Sequence, residues 1–209
     1  MKRYDFQLDT YQSKEMLRVI RSKRDVIETL MHSMKLMMLP PLPPIKPISH
    51  IVLQVSKMSR LFFLTEKNMF SVSFPFVTTE KDGALEFRSI HHEKITSQVA
   101  SQVLAILGST DSLDGRDVYR FADPIIEVCE GDEDFWCFFR ELLMHEDGYI
   151  RYDSDPAREN GQLHPLHHLD IFYSSSNTFK IGMTQGASLD AFLDVLDVNT
   201  NCHYLSEAK

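Results

Sequence analysis

Between Leu39 and Pro47 the chain reads LPPLPPIKP, and its hydrophobic period differs on the two sides of that run. Proline lacks the amide donor and keeps the residue before it out of helical geometry, so neither a helix nor a central strand continues through such a segment. The flanking segments must be separate elements. Upstream, Met16, Leu17, Ile20, Ile27, Leu30, Met31 and Met34 recur at roughly helical spacing over residues 11–38, with no Gly or Pro among them. This spacing predicts an amphipathic helix or two short ones, whose methionines suit core packing or a partner groove. The proline run reads as an extended spacer, with docking into an aromatic groove as the other use of a PxxP pattern.

From Ser49 the period becomes two. HIVLQV (50–55), RLFFLT (60–65), MFSVSFPFV (69–77) and ALEFRSI (84–90) are β-branched and aromatic stretches with short polar joints, one of them the turn Glu80–Gly83. They predict an antiparallel meander. Phe70, Val72, Phe74 and Phe76 alternate with Ser71 and Ser73, which predicts a sheet with one apolar and one wet face. Helical spacing returns over 93–107, ending at Gly108, over 132–144 behind the acidic Asp132–Asp134, and over 188–198 behind Ser188, each with a suitable cap or stop. The expected fold is α+β: an antiparallel β-sheet packed by helices, with a helical N-terminal arm. Residues 1–48 would be the basic arm and spacer, and residues 49–209 the body.

Composition narrows the class. No apolar run approaches the roughly 20 residues that span a bilayer, and the N-terminus lacks the basic-then-apolar order of a signal peptide, so a cytoplasmic protein with no membrane association is expected. Cys129, Cys137 and Cys202 form no CxxC pair, which argues against a disulfide framework or a cysteine zinc site and for buried thiols. The net charge of -8 divides unevenly: residues 1–60 carry 11 Lys/Arg against 5 Asp/Glu, and the remainder 11 against 25. A basic segment on an acidic body can contact nucleic acid, or can pack on that body or on a sister subunit. The nine carboxylates of Asp111–Asp134 follow no EF-hand pattern and read as solvated surface.

The chemistry-bearing residues gather in Tyr149–Met183, YIRYDSDPARENGQLHPLHHLDIFYSSSNTFKIGM. Strands are expected at 149–153, 167–174 and 178–183, the first two joined by a polar Gly/Pro loop. Alternation puts His168, Asp170 and Phe172 on one strand face and His167 on the other, packed one. Three chemistries fit. His168 can act as general acid or base with Asp170 orienting it, His164 as second proton carrier, Arg151 or Arg158 holding phosphate and Tyr152 assisting. His164, His168 and Asp170, with Asp153, can instead bind a divalent metal that activates water. Or these side chains simply satisfy one another in a buried network.

The line Arg151-Tyr152-Asp153, Asp155-Pro156, His164-Pro165, His168-Leu169-Asp170, followed by a strand and a helix, resembles an ending found in poorly characterised bacterial proteins, RYDxDP then HPxxHL(D/H). That group is toxin-like or defence-associated and travels on mobile genetic elements. The resemblance covers about the last third of the chain and singles out His164 and His168; Asp170 stands where histidine is common in related sequences. It implies a toxin-like or antiphage-defence component acting on nucleic acid or nucleotide, a ribonuclease for example, with a cognate antitoxin or a partner ATPase or nuclease. The contrasting expectation is a non-catalytic assembly subunit that forms homo-oligomers or docks to an enzyme through its N-terminal arm.

Overall fold

The computed structural model describes residues 1–40, 46–65, 68–109, 122–129, 132–174 and 177–204. Most of the proline run and most of the acidic passage at 111–134 lie outside the described residues. The fold is α+β, with every strand pairing antiparallel. The main sheet has the order β1-β2-β3-β4-β7-β8-β9, where β1 is Lys2–Leu8, β2 Ser49–Val55, β3 Arg60–Leu64, β4 Asn68–Ser73, β7 Ile150–Ser154, β8 His167–Ser174 and β9 Asn177–Met183. Strands β5 (Val77–Lys81) and β6 (Ala84–Arg88) form a separate hairpin. The expected meander therefore ends at β4: the chain leaves the sheet through Phe74, Pro75 and Phe76, and β7, far along the sequence, takes the next place. Proline at 75 denies the ladder a donor at that point.

The expected helical arm is not set apart from the body. Residues 2–8 pair with β2 as an edge strand, and two helices come next, α1 (Thr10–Met16) and α2 (Lys23–Met37), each opened by a capping box, Asp9 with Gln12 and Ser22 with Asp25. Val26, Ile27, Leu30, Met31, Met34 and Met37 of α2 are buried in the core with Leu8, Ile51, Leu61, Phe63 and Phe70 of the sheet. The same cluster takes in α3 (Ser97–Ser109) and α5 (Glu133–Met144). Helix α3 starts four residues later than its periodicity suggests and runs through Gly108; Ile95 is taken instead by a bridge to Phe87. The basic charges of the first segment meet acids on both parts of the chain, Arg18 with Glu15, Arg3 with Asp190 and Lys23 with Asp147. Helix α4 is Ala122–Cys129.

The face expected to be wet is covered too. Val52, Phe62, Met69, Tyr152 and Leu169 form a second cluster with Phe192 and Leu193 of α6 (Leu189–Val195). Ser71 on this face is wholly buried and accepts a hydrogen bond from Arg60 Nε at 2.9 Å. Arg60 also donates to the Gly148 carbonyl, and burial lowers its pKa to about 10. Of the cysteines, Cys137 is half-buried and Cys202 exposed, against the expectation of buried thiols; the Cys129 side chain lies outside the described residues. No helix among the described residues is long and apolar enough to cross a membrane.

Burial holds the imidazoles of His32 and His145 below their ordinary 6.5, and Lys23 adds to the effect at His145. Both are neutral in the fold where the unfolded chain is protonated. The stability attached to them is whole above pH 6.5 and is lost as the pH falls from there toward their lowered folded values. His145→Gln is expected to flatten the loss of urea-denaturation stability between about pH 7 and pH 5; a variant with the wild-type slope would refute this assignment.

Candidate functional site

Antiparallel register builds the site. Asp153 of β7 stands opposite His168 of β8, and Arg151 opposite Asp170; on the outer side His168 faces Gly182 and Asp170 faces Lys180 of β9. These residues share the face that, further along β8, carries Phe172 against the α2/α3/α5 core. Their surroundings change from apolar to polar where the helices end and the loop of residues 155–166 begins to cover the sheet. Backbone bonds close that loop: Asp155 N–H to the Leu166 carbonyl at 3.0 Å and Asn160 N–H to the His164 carbonyl at 2.9 Å. Pro165 then lies directly over Gly182, where any Cβ would come within 3.0 Å of the proline ring. A Cβ at 182 would require the proline ring to give by a few tenths of an ångström.

The descent of the loop fixes the tautomer of His168. Its Nδ1 is 2.9 Å from the Pro165 carbonyl oxygen, which can only accept, so Nδ1 carries the proton and Nε2 is the atom left for chemistry. Nε2 lies 3.9 Å from Asp153 Oδ2 and 3.9 Å from Asp170 Oδ1. All three side chains are sheltered, with His168 only 1% and Asp170 5% exposed. The Arg151 guanidinium clamps both carboxylates: Nη2 donates to Asp170 Oδ2 at 2.7 Å, and Nε is 2.7 Å from Asp153 Oδ2, a charge contact whose N–H is not aimed at the oxygen. Burial works against the charge on Arg151, but Asp153, Tyr149 and Asp170 more than offset it and raise its pKa. Burial likewise pushes the Tyr149 hydroxyl up, against the pull of Arg151. The guanidinium carbon sits 5.7 Å from the centre of the Phe172 ring.

Asp153, His168 and Asp170 offer ligand atoms that all lie within 4.8 Å of one another. The metal set expected with His164 therefore changes: Asp153 occupies the cluster, and His164 stands beside it, its ring edge-on to His168 at 4.5 Å and its buried Nδ1 without a hydrogen-bond partner. Tyr152 is not at the site. It lies on the opposite sheet face, where its hydroxyl is 2.9 Å from His167 Nδ1. Arg158 is on the loop, largely exposed and 3.8 Å from Asp155. Sequence reasoning passes over two residues: Lys180, 3.7 Å from Asp170 Oδ1, and Pro165. The alternation of β9 puts Lys180 on the His168 side, but only the β8/β9 register brings it to Asp170.

Comparison with family models, with curated proteins and with solved structures finds no match for this chain.

Proposed function

We propose that this protein is a toxin-type or defence-type component that acts on nucleic acid or a nucleotide in the cytoplasm, cleaving a phosphoester at the Asp153–His168–Asp170 cluster. The observation that carries the reading is the aim of His168: its Nδ1 is committed to a backbone carbonyl, and its Nε2 is presented to two sheltered carboxylates. Such an arrangement fixes in advance which ring nitrogen of a working group is free for chemistry. The resemblance of residues 151–170 to toxin-like and defence-associated proteins supplies the substrate class and the expectation of a cognate antitoxin or partner enzyme. His164, its ring edge-on to His168 at 4.5 Å, serves as the proton carrier between the cluster and solvent. Arg151 is taken up by the two aspartates, so Arg158 and Lys180, the more exposed cations, are better placed to meet phosphate. Because His168 is buried, substrate reaches it when the 155–166 loop lifts.

The test is a growth or cleavage assay with His168→Ala and His164→Ala, each checked for folding by circular dichroism. Folded variants that lose the effect support the reading; folded variants that keep it sink the reading. Because His164 is only half-buried, its variant remains informative if His168→Ala fails to fold. The assembly reading keeps one specific observation: β9 is an edge strand carrying exposed Phe179, with exposed Tyr173 near the end of neighbouring β8, an open ladder that a second copy can extend. Size-exclusion chromatography of the wild type against Tyr173→Ser/Phe179→Ser tests the self-association part of it, which a monomer in both would end.

A further inference from the structure

We propose that Asp153, His168 and Asp170 hold a divalent cation, bound by His168 Nε2 and one carboxylate oxygen from each aspartate. The proposal rests on the reading of this cluster as the working centre and names the cofactor it uses. Three potential ligand atoms lie within 4.8 Å of one another. Asp170 Oδ1 is buried and has no hydrogen-bond partner, and the nitrogen it faces carries no proton in the neutral imidazole. Left alone, the three would repel one another in a low-dielectric setting. His168 Nε2 is 3.9 Å from one oxygen of each aspartate, and an inward shift of a few tenths of an ångström by each group brings all three to the about 2.0 to 2.2 Å bonds of one cation. One nitrogen and two carboxylate oxygens form a mixed set that favours Mn2+, Fe2+ or Zn2+ over Ca2+. Three protein ligands leave coordination positions for water and substrate, the pattern of a catalytic site.

The surroundings complete a metal centre. The Pro165 carbonyl orients the ligating imidazole through its other nitrogen, and Arg151 holds the two carboxylates, as outer-shell partners do around bound metals. Around the two carboxylates stand Arg151 and Lys180. Lys180, 41% exposed and 3.7 Å from Asp170 Oδ1, is the one group here that competes with a metal for the same oxygen. It sits at charge-contact distance without a hydrogen bond and is free to swing out. Arg151, half-buried and held by both aspartates, is not. The cation would then replace the Lys180 ammonium, activate a bound water, and leave His164 to move the proton.

The experiment is a calorimetric titration of the full chain, stripped by chelator, with Mn2+ and separately with Zn2+, alongside Lys180→Met and Asp153→Asn. A single saturating site is expected, several-fold tighter in Lys180→Met and weaker by about tenfold or more in Asp153→Asn. Wild type and Lys180→Met that both fail to saturate at millimolar metal would overturn the proposal, as would Asp153→Asn binding like the wild type. Cleavage assays keep the two readings apart. Saturable metal with no activity on nucleic acid or nucleotide removes the phosphoester reading and leaves the metal site standing. A His168-dependent effect that survives in chelator removes the metal and leaves the phosphoester reading.

Discussion

Gly148→Ala is expected to destabilise the protein by about 2 kcal/mol, read as a lower midpoint in urea denaturation with an unchanged slope. Gly148 has φ +53°, where an L-residue is strained by about 1 to 2 kcal/mol. The added Cβ would also overlap Ser73 Oγ and stand 3.2 Å from Arg60 Nη1. The serine hydroxyl can rotate away, whereas Arg60 is held by Ser71 and by the Gly148 carbonyl itself. Conformational strain is therefore the larger part of the penalty. Adding Ser73→Ala to Gly148→Ala separates the two parts: a small recovery is expected, and full recovery would show that the clash with Ser73 was the whole effect. Gly148 turns the chain into β7, so a shift there also moves Arg151 and Asp153 against β8.

Much of this architecture can be read from period and punctuation, and the failures have identifiable causes. Strands β2 to β4 and β7 to β9 and helices α5 and α6 follow from alternation and from caps such as Asp132 and Ser188. Strand β1 escapes such a reading because KRYDFQL buries only Leu8 fully, and an edge strand facing water on one side carries little apolar signal. The second face of β4 reads as wet because serine is usually exposed, while Ser71 is buried as the acceptor for an arginine on the neighbouring strand. At the site, His168 and Asp170 share a face by alternation alone. The same rule places Tyr152, between Arg151 and Asp153, on the opposite face, so that correction is available in the sequence. Asp153 is a candidate by residue type and shares a face with Arg151 by alternation, but its place opposite His168 and the reach of Arg151 to Asp170 depend on the β7/β8 register across the 155–166 loop.

Arg151→Gln is expected to destabilise the fold by about 3 kcal/mol, at the low end of the range for breaking a buried ion pair from one side. The substitution leaves two carboxylates facing each other, Asp170 at 5% and Asp153 at 13% exposure, with only the partly exposed Lys180 to offset them. That residual partner is the reason for choosing the low end. Arg151→Lys should fall between the variant and the wild type, since an ammonium restores the charge but not the fork that reaches both aspartates. The pKa of Arg151 is raised, so its contribution is complete below the unfolded arginine value and is lost only in strong alkali. From neutral pH downward the guanidinium stays charged and its contribution stays whole. A loss well under about 1 kcal/mol would mean that the pair is solvated like an ordinary surface bridge. The same variant also joins stability to the proposed cofactor: a cation bound only by the folded chain stabilises it in proportion to the logarithm of its concentration over Kd. Added Mn2+ should therefore restore Arg151→Gln more than it raises the wild type, because the positive charge it supplies replaces the one removed.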